Sequence, residues 1–100
     1  MAEKLIIWSN RANTELNDIL EFYLQRNGNP TYSLKLLDSI ESLLKTLKSN
    51  DLIGRLTSNK RTRVIAMEVY LIFYESNDDR IDILSIWDNR QNPLKRLDNK

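Results

Sequence analysis

The spacing of apolar residues changes once along this chain, and that change limits the folds open to it. After a short strand candidate at 4–8, apolar residues up to Asn50 recur every three or four positions, which places them on one face of a helix. From Arg61 onward they lie in short runs rich in β-branched and aromatic residues, as in strands. At 100 residues the sequence predicts one domain, residues 1–100, with a helical part followed by a sheet.

Two helices are predicted, joined by a short loop. The first begins after the N-cap candidates Ser9 and Asn10, and it ends near Gly28, because glycine takes the left-handed C-cap conformation at little cost. Asn29 and Pro30 suit the start of the second helix. Because the loop is short, the helices should run antiparallel. The residues expected to be buried on them are Ala12, Leu16, Ile19, Leu20, Tyr23, Leu24, Leu34, Leu37, Ile40, Leu44 and Leu47.

Three more strands are predicted after the helices. They cover 61–66, 69–75 and 81–87, and short turns join them, so they should pair antiparallel. The stretch 51–59, which contains Gly54, is predicted to be a loop. Because the helices must bury their apolar stripes against the sheet, the predicted fold is α+β: an N-terminal strand, an antiparallel helical hairpin and three antiparallel strands. The helices would pack on one face of a four-stranded sheet and leave the other face at least partly open.

The composition argues against several kinds of structural and functional site. The chain has no cysteine and no histidine, so neither a disulfide framework nor a zinc site is expected, and we predict no metal and no cofactor. No apolar run approaches the ~20 residues that span a membrane, and the apolar stretch near the N-terminus is short for a secretion signal. A cytoplasmic protein without a membrane partner is therefore expected.

A net charge of +1 does not indicate a nucleic-acid-binding protein, but the charges are unevenly distributed along the sequence. Arg55, Lys60, Arg61 and Arg63 follow one another without an intervening acid. This cluster is either a solvated loop or a patch that contacts phosphate. Arg63 alone could equally be an edge-strand charge that blocks aggregation.

Several pieces of the chain, taken in their order, carry a resemblance to a known family. The pieces are Trp8-Ser9, the spacing of Leu16, Ile19 and Tyr23, Ile53-Gly54-Arg55, Arg63 before Val64-Ile65, Tyr70 to Tyr74, Ile83 to Arg90, and Gln91-Asn92-Pro93-Leu94. In this order they resemble the RelE/ParE superfamily of toxins from type II toxin–antitoxin modules, and the resemblance covers nearly the whole chain.

The resemblance implies a growth-inhibiting toxin that a co-encoded antitoxin holds silent. RelE-like members resemble one another in cutting mRNA in the ribosomal A site, whereas ParE-like members resemble one another in poisoning DNA gyrase without catalysis of their own. The expected partners are thus a cognate antitoxin and either the ribosome with its mRNA or gyrase. A disordered antitoxin segment would fold onto leucines of the helical hairpin and the edge strand.

The ribonuclease interpretation requires a base for the 2′-hydroxyl, cations for the developing charge and an acid for the leaving oxygen. The candidate catalytic residues are Arg63, Arg90 and Asp88. The candidate nucleic-acid-binding residues are Arg55, Lys60, Arg61, Tyr70, Tyr74 and Trp87, of which the aromatic ones would stack on exposed bases. Asp88 is a weak base at an ordinary pKa near 3.9, and Arg90 would lower that pKa further.

The chain also departs from the RelE-like pattern, and other interpretations stay open. Leu71 stands where RelE-like ribonucleases carry an arginine, and the histidine found in many relatives is missing. Tyr70 and Tyr74 share one strand face and could be sheet packing, Trp87 could be a core or edge aromatic, and Asp88 could simply pair with Arg90. The alternatives are a family member that binds or co-represses without toxicity, and an unrelated small nucleic-acid-binding α+β domain.

Overall fold

The computed structural model describes residues 4–91. Its strands form one sheet in the order β1-β5-β4-β3-β2. Neighbouring strands are antiparallel except β1 and β5, which run parallel. The elements in chain order are β1 (Leu5–Trp8), α1 (Asn10–Asn27), α2 (Thr31–Ser49), β2 (Arg55–Leu56), β3 (Arg63–Met67), β4 (Tyr70–Ser76) and β5 (Arg80–Asp88).

The predicted α+β fold is confirmed, but the sheet of the described residues has five strands rather than four. The additional strand is β2, where Arg55 pairs with Val64 and Leu56 with Arg63 inside the stretch predicted to be a loop. Two residues are too few to show a strand period, so this strand is defined by its pairing with β3 and not by its own sequence.

Both predicted ends of α1 are confirmed. The Ser9 hydroxyl accepts a hydrogen bond from the Ala12 amide at 3.0 Å, which caps α1. Gly28 ends α1 with a φ of 71° in the left-handed region. The start of α2 differs from the prediction: Pro30 and not Asn29 is at the N-cap position, without a side-chain cap. The Asn29 side chain accepts from the Thr31 amide at 3.1 Å just before the helix.

The buried stripe of the helices differs from the prediction at three leucines: Leu36 is buried although it was not predicted to be, and two predicted leucines are exposed. Leu36, Ile40 and Leu47 are the buried leucines and isoleucine of α2, whereas Leu34 is 57% exposed. Successive helical residues are about 100° apart, so Leu34 lies on the far side of the helix from Leu36. Leu24, in the last turn of α1, is also exposed. The prediction that both are core residues was wrong.

The two faces of the sheet carry separate apolar clusters. Side chains alternate along β4, so Tyr70, Ile72 and Tyr74 lie against the helices while Phe73 lies on the opposite face. The opposite face is closed at its centre by a smaller cluster rather than open there. That cluster consists of Val64, Phe73 and Trp87, with Leu71 and Leu84 packed against it.

Two negative findings apply to residues 4–91. Neither helix of this part is long and apolar enough to cross a membrane. Nor do these residues bring together three or more acidic, histidine or cysteine side chains in a group that could hold a metal ion.

Candidate functional site

The predicted cationic cluster contains two kinds of side chain. The Arg63 guanidinium donates to the Gly54 carbonyl at 2.8 Å and to the Leu52 carbonyl at 3.3 Å, so it holds the loop before β2. Arg55, Lys60 and Arg61 are exposed, and within residues 4–91 none of them forms a salt bridge. These three are thus open to a partner, whereas Arg63 is tied into the fold.

Tyr74 fixes the same loop from inside the core. Its side chain is fully buried, and its hydroxyl donates to the Asp51 carbonyl at 2.8 Å and accepts from the Gly54 amide at 2.9 Å. Burial raises the pKa of Tyr74, so the phenol stays protonated. A Cβ at Gly54 would lie 2.7 Å from the Tyr74 hydroxyl oxygen. The Ile53-Gly54-Arg55 piece therefore requires glycine for close approach to Tyr74.

Tyr70 is likewise a core residue. It has no exposed surface, and its hydroxyl lies 3.3 Å from that of Tyr32 on α2. Burial is the main cause of a raised pKa of Tyr70. Neither Tyr70 nor Tyr74 presents a ring to solvent, which corrects the expectation that they stack on bases. The alternative of sheet packing is the one that the structure shows.

Asp88, the last residue of β5, and Arg90 form a two-point ion pair. The Arg90 guanidinium donates to the two carboxylate oxygens of Asp88 at 3.0 and 2.7 Å, and it also donates to the Tyr23 hydroxyl at 3.0 Å. The hydrogen bond from Arg90 lowers the pKa of Asp88, and the carboxylate in turn raises the pKa of Arg90. Asp88 is therefore ionised and paired, which makes it a poor proton acceptor at neutral pH.

The structure does not bring Arg63 together with Asp88 and Arg90. Across the sheet Arg63 is level with Tyr74. Asp88 is level with Tyr70, which lies four residues away along β4. At ~3.3 Å per residue these two levels are about 13 Å apart along the strands. The three candidate catalytic residues are thus split between opposite ends of the sheet.

A cleft of about 540 Å³ lies between α1 and the end of β5, beside the Asp88–Arg90 pair. Trp87 lines it and is 9% exposed, and among residues 4–91 its buried indole N–H has no hydrogen-bond partner. Apolar and charged side chains of both signs line the cleft, which suits a peptide better than a polyanion. The lining residues are Glu15, Asp18, Ile19, Phe22, Tyr23, Arg26, Ile86, Trp87, Asp88, Arg90 and Gln91.

Glu15 is a lining residue that the sequence reasoning missed. Its carboxylate accepts from the Ser85 hydroxyl at 2.7 Å and from the Ile86 amide at 3.3 Å. Strand β1 pairs with β5 only as far as Ile83, so the carboxylate continues the hydrogen bonding of β5 beyond the end of β1. A single acidic residue in a helix carries no signal of this role in the sequence.

Comparison with known proteins identifies the family and the fold of this chain. The family model described as the ParE toxin of the type II toxin–antitoxin system ParDE matches residues 6–93. A solved structure titled the chromosomal ParDE toxin–antitoxin system from P. aeruginosa is similar, with a TM-score of 0.69 and 24% identity, covering 84% of this chain and 94% of that chain. No curated protein matches.

Of the Gln91-Asn92-Pro93-Leu94 piece that carried part of the resemblance, only Gln91 lies within the described residues. At 24% identity the solved structure shows the fold, whereas the family match spans most of the sequence. The chain therefore belongs to the ParE toxin family of type II toxin–antitoxin systems, within the RelE/ParE superfamily.

Proposed function

We propose that this protein is a growth-inhibiting toxin that acts on DNA gyrase and not by cutting mRNA. Membership in the ParE family supports a gyrase target, because ParE-like members resemble one another in poisoning that enzyme. The observation that carries the proposal is the Asp88–Arg90 ion pair, which lies about 13 Å along the strands from the level of Arg63.

RNA cleavage needs a base and cations at one phosphate, and this arrangement does not bring them together. The base and the cations must lie within hydrogen-bond reach of the same reacting group. Asp88 is the acid nearest Arg90 in the sequence, and its lowered pKa makes it a weak base. Arg63 donates to loop carbonyls. Leu71 adds no cation where RelE-like ribonucleases carry an arginine. The described residues thus offer charges but no assembled catalytic group.

A cognate antitoxin is proposed to hold the toxin silent by covering apolar surface on the helical hairpin. Phe22 and Leu24 at the end of α1 and Leu34 at the start of α2 are all exposed. Large apolar side chains that are left in solvent give a partner apolar surface to bury. A disordered antitoxin segment that folds onto them would bury this surface on binding.

One observation favours RNA binding as a second candidate function. Arg55, Lys60 and Arg61 are exposed and without salt bridges in the described part of the chain, so they are free to contact a phosphate backbone. These cations could bind RNA, but without a base they would position it rather than cleave it.

Two measurements on the same protein test the proposal. Purified protein is added to DNA gyrase with relaxed plasmid, and cellular mRNA is mapped by primer extension after brief expression of the toxin alone. We expect supercoiling to be inhibited while mRNA stays intact. Cuts inside translated regions with gyrase unaffected would overturn the proposal, and normal growth with both intact would indicate a family member that binds without toxicity.

The variant for the mRNA map is Arg90→Ala, because Arg63→Ala would also release the loop that Arg63 holds. The matched control is Arg80→Ala, since Arg80 pairs with an aspartate two residues away, Asp82, just as Arg90 pairs with Asp88. Cuts abolished by Arg90→Ala and kept in Arg80→Ala would assign them to this protein's own chemistry.

A further inference from the structure

We propose that Asn27 is a site of spontaneous covalent modification, at which the side-chain amide is lost by reaction with the backbone of Gly28. The site lies at the end of α1, where the chain turns into the loop before α2. It is separate from the cleft beside Arg90. The reaction needs water as its one co-reactant and does not depend on which target the toxin attacks.

The reaction begins with attack of the Gly28 backbone nitrogen on the side-chain carbonyl carbon of Asn27. A bond from this nitrogen to Cγ forms, the bond from Cγ to Nδ2 breaks, and the Gly28 amide proton leaves with Nδ2 as ammonia. Water then opens the cyclic imide at either carbonyl carbon. Opening at Cγ gives aspartate, whereas opening at the main-chain carbon gives isoaspartate, in which the backbone runs through the side chain. Either product carries a new negative charge.

Glycine after asparagine favours this attack, because no Cβ crowds the approach of the glycine nitrogen. Asn27 is the only asparagine of the sequence that glycine follows. Both residues are exposed, and a Cβ built on Gly28 would meet nothing within 4 Å. The space around the reacting groups is therefore open to water.

The reacting groups are only weakly held by the fold. Within residues 4–91 the Asn27 side chain forms no hydrogen bond, so it can turn toward Gly28 without losing one. The Gly28 amide donates to the Leu24 carbonyl at 3.0 Å, and this bond closes the C-terminal end of α1. Frayed chain ends open with free energies near zero. The bond to Leu24 therefore protects the Gly28 nitrogen little.

Asn59 provides a matched comparison in the same chain. It is exposed, and Lys60 after it has a φ of 64°, close to the 71° of Gly28. The Lys60 amide is also held by a carbonyl, that of Thr57, at 3.0 Å. The Asn59 side chain, however, is fixed: its oxygen accepts from two backbone amides at 2.8 Å, and its nitrogen donates to the Thr62 hydroxyl at 2.8 Å. Asn59 should therefore react more slowly than Asn27.

The modification changes the junction of the two helices. A carboxylate at residue 27 would lie at the C-terminal end of α1, where the helix macrodipole disfavours negative charge. Isoaspartate also lengthens the backbone before Gly28, which moves the Gly28 amide away from the Leu24 carbonyl. The exposed residues Leu24 and Leu34 lie on either side of this junction. A modified molecule therefore has a weaker end of α1 and an altered surface beside these leucines.

The test incubates the full-length protein at mildly alkaline pH and follows each asparagine by mass spectrometry of tryptic peptides. We expect Asn27 to convert at least about tenfold faster than Asn59, because Asn59 must first break hydrogen bonds. Labelling with an isoaspartate-specific methyltransferase separates isoaspartate from aspartate. An unchanged Asn27, or Asn59 converting at an equal rate, would overturn the proposal.

Two variants separate the reaction from its consequence. Asn27→Gln keeps a side-chain amide but places its carbonyl one methylene farther from the backbone, so it should stay unmodified. Asn27→Asp carries the charge without the longer backbone. After incubation the Gly28 amide should exchange hydrogen faster in the unaltered protein, while exchange in Asn27→Gln stays constant and Asn27→Asp lies between them.

A rise in Gly28 exchange in incubated Asn27→Gln equal to that in the unaltered protein would overturn the assigned cause. Gyrase inhibition is measured separately on fresh protein. The modification and the proposed function can thus fail independently of each other.

Discussion

The phenol oxygen of Tyr74 lies 2.9 Å from the amide nitrogen of Gly54 and joins the core of the sheet to the loop before β2. The same hydroxyl donates to the Asp51 carbonyl, so one buried side chain satisfies two backbone groups of this loop. Arg63 holds the Gly54 carbonyl from the neighbouring strand. The position of the loop before β2 therefore depends on Tyr74 and Arg63, neither of which belongs to it.

Tyr74→Phe should lower the free energy of unfolding by about 1–3 kcal/mol, because it leaves the Gly54 amide and the Asp51 carbonyl without their partner. Urea denaturation measures the loss. The control is Tyr70→Phe, whose hydroxyl meets another hydroxyl, that of Tyr32, at the longer distance of 3.3 Å. The control should lose less free energy of unfolding. Equal losses in the two variants would contradict the role given to Tyr74.

Gly54→Ala should destabilise the protein by about 1–3 kcal/mol, because the new methyl group overpacks against Tyr74. Its Cβ would lie 2.7 Å from the phenol oxygen and 2.8 Å from a ring carbon. Tyr74→Leu removes those atoms, so Gly54→Ala and Tyr74→Leu together should cost less than the sum of the single variants.

Gly28→Ala is the matched control for Gly54→Ala when each is combined with Tyr74→Leu. Gly28 has a φ of 71°, but a Cβ added there would meet nothing within 4 Å, so the cost of the substitution is backbone strain of about 1 kcal/mol. Its effect should simply add to that of Tyr74→Leu. If Gly54→Ala were also additive with Tyr74→Leu, the steric explanation would be wrong.

Features of the fold that depend only on neighbouring residues in the sequence were predictable. The caps at Ser9 and Gly28 use side-chain or backbone chemistry of one or two residues, and the long apolar stripes identify both helices. Strand β2 was missed because its two residues carry no period of their own. Leu34 was misplaced because a leucine-rich helix offers more than one apolar stripe, and packing against the sheet chooses among them.

The candidate site was less predictable because its residues are defined by strand register. Alternation along β4 shows that Tyr70 and Tyr74 share a face, but only the placement of the helices shows that this face is buried. Likewise Arg63 begins β3 and Arg90 follows Asp88 at the end of β5, and the register places Arg63 and Asp88 at opposite ends of the sheet. Only the Asp88–Arg90 pair, two residues apart, could be anticipated from sequence alone.

Glu15→Ala should lower the free energy of unfolding by about 1–3 kcal/mol, because the buried Ser85 hydroxyl and the Ile86 amide lose their acceptor. Hydrogen exchange gives a second, local readout, since the Ile86 amide should exchange faster. Glu21→Ala is the control, because Glu21 is exposed and accepts from Gln25 on the same helix. Unchanged exchange at Ile86 in Glu15→Ala would show that the carboxylate does not extend the sheet.

The Asp88–Arg90 pair should make a small contribution to stability that depends on pH. Arg90 lowers the pKa of Asp88 in the folded state. The contribution is thus present above the unfolded pKa of about 3.9 and is lost as the pH falls through the folded value. Because the pair is solvent-exposed at Arg90, its effect on overall stability should be slight. The pKa of Asp88 itself, followed by NMR, is therefore the better measurement.

Arg90→Gln should raise the pKa of Asp88 toward its ordinary value, because the main hydrogen bond that lowers it is weakened and the positive charge is gone. Arg80→Gln, which disturbs the similar pair with Asp82, should leave the pKa of Asp88 unchanged. A pKa of Asp88 at or above the ordinary value in the unaltered protein would contradict the ion pair. Such a carboxylate would also be a better base, which would weaken the main argument against RNA cleavage.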